Sequence, residues 1–138
     1  MTVEAWPEPP TAGDIVWCRF PASVRPHPKP RPALVLDVFG AAAPFAVRVA
    51  YGTSQRVREL HSGEFAILRA NHPAAYALAN LSYDTKFDLR QLVELPYTTQ
   101  WSSVPPHAPH GQNPRLGTLH PSLMRAAAAA FRAARLKA

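Results

Sequence analysis

Short apolar runs separated by proline-rich segments dominate the first half of the chain. Three runs of seven residues are rich in β-branched and aromatic side chains, at 14–20, 33–39 and 45–51. In the third run Val47, Val49 and Tyr51 occupy every second position. This pattern, bordered by prolines that cannot donate to a sheet ladder, is typical of β-strands. It predicts three strands, the last two joined through residues 39–45 as an antiparallel hairpin.

The middle of the chain predicts shorter elements. Residues 64–68 form a fourth apolar run, and residues 72–79 predict a short helix with Asn71 as its N-cap. Residues 84–89 and 92–95 indicate either a further hairpin or one bent strand. The β pattern of the first half therefore continues, with one short helix inserted between strands.

The last third combines a loop with a longer helix. Residues 97–120 contain four prolines and three histidines, and they predict a loop without regular structure. Residues 121–137 predict a helix, because the five alanines at 126–130 are strong helix formers. Its apolar stripe comprises Leu123, Ala127, Ala130, Phe131 and Ala134, whereas Arg125 and Arg132 lie opposite and Arg135 on the flank. The whole pattern predicts a small, mainly β, antiparallel barrel with a short helix and a C-terminal helix.

Length and composition indicate a single domain. The chain has 138 residues, of which 1–12 would form a flexible N-terminal arm, and 47% of them are apolar, as in ordinary globular proteins. No apolar run approaches the about 20 residues that span a bilayer, and the N-terminus has neither a cationic start nor an apolar stretch. Cys18 is the single cysteine, so no internal disulfide can form. These features predict a cytoplasmic protein without a membrane partner.

Positive charge is concentrated in two regions. The formal net charge is +6; residues 14–58 hold seven bases and two acids, and residues 95–138 hold five bases and no acid. Twelve of the fifteen basic residues are arginine, which binds phosphate through parallel N–H donors. The distribution indicates a surface for a polyanion, an acidic partner protein, or both. General solubility is the alternative interpretation.

Three motifs follow one another along the predicted strands. Residues 13–17 read Gly-Asp-Ile-Val-Trp, residues 31–36 read Arg-Pro-Ala-Leu-Val-Leu, and residues 50–55 read Ala-Tyr-Gly-Thr-Ser-Gln. In this order they resemble the MazF/PemK family, the toxin component of type II toxin–antitoxin systems. The resemblance is clear over residues 13–55 and extends in part to 85–89 and 95–97, which look like a proteobacterial PemK-like branch.

This resemblance implies an SH3-like barrel, a homodimer, and cleavage of single-stranded RNA without a metal or other cofactor. It maps the catalytic arginine and threonine of the family onto Arg31 and Thr53, and Ser54 and Gln55 extend the match. It also implies two partners besides RNA: an acidic antitoxin segment that lies along the RNA groove and, through the antitoxin complex, operator DNA.

The chemistry of RNA cleavage agrees with these residue types. RNA carries its own nucleophile, the 2′-OH, so the protein must align it, offer a proton path and stabilise a charged phosphorane. An arginine supplies fixed charge and two donors, and a threonine hydroxyl can donate to a phosphate oxygen. The flanking RNA backbone is expected to contact Arg25, Lys29, Arg48, Arg56 and Arg58. As alternatives, Arg31 is a solvated strand residue and Thr53 an ordinary turn hydroxyl.

The loop before Arg31 departs from the family pattern. Many family members carry an acidic residue there, whereas residues 21–30 contain neither Asp nor Glu. His27 could serve instead as the proton acceptor, because histidine ordinarily titrates near neutral pH. Contact with a phosphate, or no role, is equally open for His27. The missing carboxylate makes a second function credible beside RNA cleavage, a non-catalytic nucleic-acid- or protein-binding module on the same barrel.

Other candidate chemistry is weaker. A CcdB-like toxin directed at DNA gyrase is a third possibility, but the Arg-Pro and Gly-Thr-Ser pieces argue against it. No metal site is predicted, because His107, His110 and His120 fit no standard zinc spacing and are expected in a solvated loop. Cys18 is interpreted as a buried structural thiol, and Trp17 as a core residue.

Overall fold

Six antiparallel strands form one sheet in the computed structural model, which describes residues 2–21 and 29–136. The strands are β1 (Asp14–Cys18), β2 (Arg31–Phe39), β3 (Ala46–Thr53), β4 (Glu64–Ile67), β5 (Thr85–Pro96) and β6 (Arg115–Thr118). Their order across the sheet is β4-β5-β3-β2-β1-β6, and every neighbouring pair is antiparallel. The sheet curls into a half-barrel, which confirms the predicted mainly β class.

Register irregularities explain the curl. They lie between Ile15 and Val16 in the β1–β6 pair, between Val35 and Asp37 in the β2–β3 pair, and between Ala50 and Tyr51 in the β3–β5 pair. An extra residue on one strand bends it and increases its twist, so the sheet can curve at these points. The third irregularity lets β5 follow the whole length of β3. Where the sequence left a hairpin or a bent strand open, Thr85–Pro96 therefore forms one bent strand.

Two helices accompany the sheet. Helix α1 spans Pro73–Leu78, and a 3₁₀ turn at Pro121–Leu123 leads into helix α2, Met124–Leu136. The N-cap of α1 is His72, so the prediction of Asn71 is wrong by one residue. Pro73 occupies the start of the helix, where its missing N–H is not needed, and the residue before it becomes the cap. Within the described residues, neither helix has the length and apolar character needed to cross a membrane.

The prediction that residues 97–120 lack regular structure is wrong at their end. Strand β6 pairs there with the free edge of β1, where Ile15 faces Gly117. A Cβ atom at position 117 would lie 2.5 Å from backbone atoms of Leu78 and Ala79, so glycine allows β6 to pack against the end of α1. The strand is four residues long, and it forms because β1 offers an unpaired edge, not because of local strand propensity.

Buried side chains alternate between the two faces of the sheet. In β1, Ile15 belongs to a core cluster shared with both helices, whereas the adjacent Val16 belongs to a second cluster on the other face. The first cluster includes Leu34, Phe65, Phe87, Leu89, Leu116, Leu123 and Ala130. The second includes Cys18, Phe20, Val35, Val47, Val49, Leu95 and Tyr97. Both faces of the central strands are therefore dry, which accounts for their nearly continuous apolar runs.

Residues 4–6 of the N-terminal arm are hydrogen-bonded to the segment after β5. The backbone N–H of Trp6 donates to the Tyr97 carbonyl at 3.1 Å, and its indole N–H donates to the Ser102 carbonyl at 3.1 Å. The backbone N–H of Thr99 donates to the Glu4 carbonyl at 2.8 Å. Trp6 thereby packs on the second core cluster.

Helix α2 docks through the stripe that its sequence predicts. Leu123, Ala130 and Ala134 are buried, Phe131 is half-buried, and Arg132 is exposed. Arg135, on the flank of the helix, is exposed, and its guanidinium also donates to the Leu89 carbonyl at 2.9 Å and lies 5.0 Å from the centre of the Phe131 ring.

Replacing Phe131 with alanine is expected to destabilise the fold. Loss of a half-buried ring and of its guanidinium contact should lower the free energy of unfolding by about 1–2 kcal/mol. Arg132→Ala, on the exposed face of the same helix, should stay within about 0.5 kcal/mol of the wild type. Denaturant unfolding of the two variants tests this; equal stabilities would show that the stripe does not hold the helix.

Candidate functional site

Arg31 and Thr53 lie at facing ends of adjacent strands. Strand β2 begins at Arg31, β3 ends at Thr53, and the two strands run antiparallel. The paired register of the two strands ends at Ala33 and Tyr51, and Arg31 and Thr53 lie two residues beyond this last pair, at the same end of the sheet. The sheet therefore brings these two residues to one end although they lie 22 positions apart in the sequence.

Gly52 sets the spacing of the two strands beside this pair. A Cβ atom at position 52 would lie 2.5 Å from the Pro32 carbonyl oxygen and 3.0 Å from the Phe87 ring. A Cβ contact of 2.5 Å does not occur in real proteins, so only glycine fits without moving the backbone of β2. The glycine of the Gly-Thr-Ser motif is thus required by the close approach of the strands.

A cleft of about 590 Å³ opens next to the Arg31–Thr53 pair. Its lining comes from the start of β2, the end of β3, the segment between α1 and β5, and the segment between β5 and β6. The lining residues are Trp17, Arg31, Pro32, Thr53, Ser54, Asn80, Leu81, Ser82, Tyr83, Thr85, Pro106, His107, Pro109 and Leu116. The cleft combines apolar and aromatic side chains with polar ones from several segments, as ligand sites do.

Arg31 and Thr53 each keep hydrogen-bond donors that their contacts with the described residues do not use. Arg31 is half-buried, and its guanidinium donates to the adjacent Pro30 carbonyl at 3.3 Å, its one hydrogen bond to a residue that the structure describes. Within residues 2–21 and 29–136, no carboxylate forms an ion pair with Arg31. The Thr53 hydroxyl oxygen accepts the backbone N–H of Gln55 at 3.2 Å, which leaves its proton to donate elsewhere. An anionic group in the cleft would meet one cation and one hydroxyl donor.

Of the other predicted binding residues, one lines the same cleft and several lie outside it. Ser54 lines the same cleft as Arg31 and Thr53. Gln55 and Arg56 are exposed in the turn after β3, where Arg56 has the left-handed φ of +50°. Lys29 is exposed just before β2. Arg25 and His27 lie outside the described residues.

Two further predicted arginines, Arg48 and Arg58, lie away from the cleft. Arg48 forms an ion pair with Asp37, its cross-strand partner on β2. Arg58 lines a second groove of about 600 Å³, which lies between α2 and residues 57–68 and shares no lining residue with the cleft.

A buried charge network supports the end of β3 from the other side. Thr53 pairs across the sheet with Lys86, whose ammonium is buried and donates to the Glu59 carbonyl at 2.9 Å and to a Glu64 carboxylate oxygen at 3.3 Å. Arg90 joins this network through a Glu64 carboxylate oxygen at 3.7 Å, and it also pairs with Asp88 at 2.9 Å. Burial alone would raise the pKa of Asp88, but hydrogen bonds and charge from Arg90 outweigh it and hold that pKa below its ordinary value. These charges are paired with one another and do not face the cleft.

Sequence reasoning missed several residues of the cleft. Asn80, Tyr83 and His107 come from segments without a family match, and no local pattern marks them as site residues. Trp17, expected in the core, is half-buried and lines the cleft while also packing on the first cluster. Trp17 lies near the end of β1 and pairs with Pro32, and this position beside the start of β2 is the feature that could have indicated a place in the cleft.

Metal and thiol chemistry find little support in the site residues. Among residues 2–21 and 29–136, no group of three or more His, Cys, Asp or Glu side chains could hold a metal ion. Cys18 is buried, and burial raises the pKa of its thiol to about 12. It is therefore a structural thiol, as predicted.

Comparison with known proteins adds no further assignment: no protein-family model matches the chain, and no curated protein matches its sequence.

Proposed function

We propose that the cleft binds single-stranded RNA and cleaves it by attack of the 2′-OH on the neighbouring phosphate, as a toxin of the MazF/PemK type would. The observation that carries this proposal is the shared position of Arg31 and Thr53, two residues from separate motifs that line one cleft from facing strand ends. Neither motif alone requires that meeting.

The cleft offers groups for each part of a nucleotide. Arg31 can hold two phosphate oxygens through parallel donors, and the Thr53 and Ser54 hydroxyls can donate to the same group. Trp17 and Tyr83 present aromatic rings in the same cleft, where a base could stack. Charge that develops on the phosphorane would then meet fixed donors in a partly dry site, which is the main source of catalysis in such reactions.

The test is incubation of the purified chain with mixed-sequence RNA in EDTA, followed by mapping of the new ends. Ends carrying 2′,3′-cyclic phosphate and 5′-OH support the proposal. RNA that stays intact overturns it, and retained binding to that RNA would favour the non-catalytic binding module.

The binding module has one observation in its favour: the described lining of the cleft contains no carboxylate. If no other residue of the cleft accepted the proton of the 2′-OH, the cleft would bind RNA without cleaving it. End mapping separates the two functions directly, because binding alone creates no new ends.

In a toxin of this type, the positive charge of the chain indicates which partners it would bind. The two basic regions, each of net +5, would attract an acidic antitoxin segment, and operator DNA would be bound through that complex. The family expectation of a homodimer with an SH3-like barrel in the cytoplasm belongs to the same proposal. Size-exclusion chromatography with light scattering tests the dimer.

RNA binding is expected to weaken with salt. Lys29→Ala and Arg25→Ala should each reduce the slope of log Kd against log salt by about one unit, because each removes one phosphate contact and its released counterion. Arg132→Ala on α2 is the control and should keep the slope. Equal affinity at about 50 and 200 mM salt would show that the basic loop does not contact RNA.

A further inference from the structure

His107 is the one residue in the described lining of the cleft whose side chain carries a ring nitrogen that can accept a proton. The described lining also holds the Arg31 guanidinium and the Tyr83 phenol, and it contains no carboxylate. The family position for an acidic proton acceptor, in residues 21–30, is empty of Asp and Glu. A cleft that cleaves RNA needs such an acceptor, and the segment between β5 and β6 brings one.

We propose that His107 is the catalytic base that removes the proton from the attacking 2′-OH. The inference rests on the proposed function and extends it to a residue outside the part of the chain that resembles the family. It assigns a role to the segment 97–120, for which the sequence predicted only a loop.

The turn that holds His107 is well defined. The backbone N–H of Ala108 donates to the Pro105 carbonyl at 3.0 Å, which closes a four-residue turn with Pro106 in second and His107 in third position. His107 has φ +67°, the left-handed conformation that the third position of a type II turn requires. Glycine or asparagine is the usual residue there, and histidine is among the other residues that adopt it more often than most. Ala108 also has a positive φ, of +40°, so the turn fixes the backbone direction at which the His107 side chain leaves the loop.

The neighbouring histidine provides a contrast. His107 and His110 are both exposed, but His110, three residues further along the same segment, does not line the cleft. Its carbonyl accepts the Asn113 amide. The two histidines thus share a loop and differ in access to the Arg31–Thr53 pair.

The proposed step balances in atoms and charge. The 2′-oxygen forms a bond to phosphorus while its proton passes to the free ring nitrogen of His107, and Arg31 and Thr53 hold the phosphorane oxygens. The bond between phosphorus and the 5′-oxygen then breaks. The leaving 5′-oxygen takes a proton from solvent water, and the imidazolium returns its proton to solvent, so the net products are a 2′,3′-cyclic phosphate and a 5′-OH.

Two substitutions at position 107 test this without disturbing the turn. His107→Asn and His107→Gly both suit a left-handed φ, so neither should destabilise the loop. His110→Asn is the matched control. Cleavage rates are measured on a short single-stranded RNA from about pH 5 to pH 9, and affinity is measured on the same sequence with 2′-O-methyl groups, which cannot be cleaved.

His107→Asn is expected to lower the cleavage rate by about 10²–10⁴-fold, the usual contribution of a positioned general base. The rise of rate with pH that follows histidine deprotonation should disappear, while affinity for the methylated RNA stays within about twofold of the wild type. Imidazole added to His107→Gly should restore part of the rate in proportion to its unprotonated form. His110→Asn should keep both rate and pH profile.

The failures of the two proposals are distinguishable. If His107→Asn cleaves at the wild-type rate with an unchanged pH profile while Arg31→Ala is inactive, His107 is not the base and the ribonuclease function stands. If His107→Asn loses rate and RNA affinity together, its role is binding and the assignment as base is overturned. If the wild-type chain leaves RNA intact at every pH, both proposals are overturned.

Discussion

Arg31→Ala is expected to lower the rate of RNA cleavage by about 10²–10³-fold, the effect of removing one donor to a developing oxyanion. Arg31 supplies the one fixed positive charge in the described lining of the cleft. Its loss leaves the phosphorane with hydroxyl donors alone. The rate is measured on a defined single-stranded RNA in EDTA under single-turnover conditions, so that product release does not mask the chemical step.

The same substitution should change stability little. Arg31 is half-buried, makes its one described hydrogen bond to the adjacent Pro30, and forms no ion pair within the described residues. The free energy of unfolding should therefore stay within about 0.5 kcal/mol of the wild type. A loss of activity that comes with unfolding would not support a role in cleavage.

Two comparison variants sharpen the result. Arg31→Lys keeps the charge but loses the paired donors, so its rate should fall between those of the wild type and Arg31→Ala. Arg69→Ala removes an exposed arginine that does not line the cleft, and it should cleave like the wild type. Wild-type cleavage by Arg31→Ala, with the same product ends, would contradict the proposed site.

Phe87→Ala is expected to have the largest effect on stability, about 3–5 kcal/mol of the free energy of unfolding. Phe87 is fully buried in β5, its ring stacks on Phe65 with centroids 5.5 Å apart, and it lies against Gly52. Truncation removes the buried ring and leaves a cavity that the rigid sheet cannot close. In a chain of this size the melting temperature should fall by about 10–20 °C.

Phe39→Ala is the matched control. Phe39 is 42% exposed at the end of β2, so the same chemical change there should shift the melting temperature by only a few degrees. Calorimetry of both variants makes the comparison. Equal shifts would mean that the packing around Phe87 does not carry the stability assigned to it. Because Phe87 also supports the strand that ends at Thr53, cleavage by the truncated variant should fall as its folded fraction falls.

Local patterns in the chain predict much of the sheet. The runs at 14–20, 33–39 and 45–51 became β1, β2 and β3, because β-branched and aromatic residues pack on both dry faces of a central sheet. The stripe of α2 was equally readable from its helical period. The meeting of Arg31 and Thr53 could be expected as soon as β2 and β3 were joined as an antiparallel hairpin.

Contacts between distant segments decided the rest. Strand β6 exists because β1 offers a free edge, and the ion pair of Arg48 with Asp37 follows from a register that no local signal contains. His107 lines the cleft because a turn more than fifty residues from Thr53 folds back onto the same end of the sheet. Apolar periodicity reports which face of an element is dry and says nothing about which loop covers its end. The amino-acid sequence thus predicted the strands and the chemistry of Arg31 and Thr53. Which residues line the cleft was decided only by the tertiary fold.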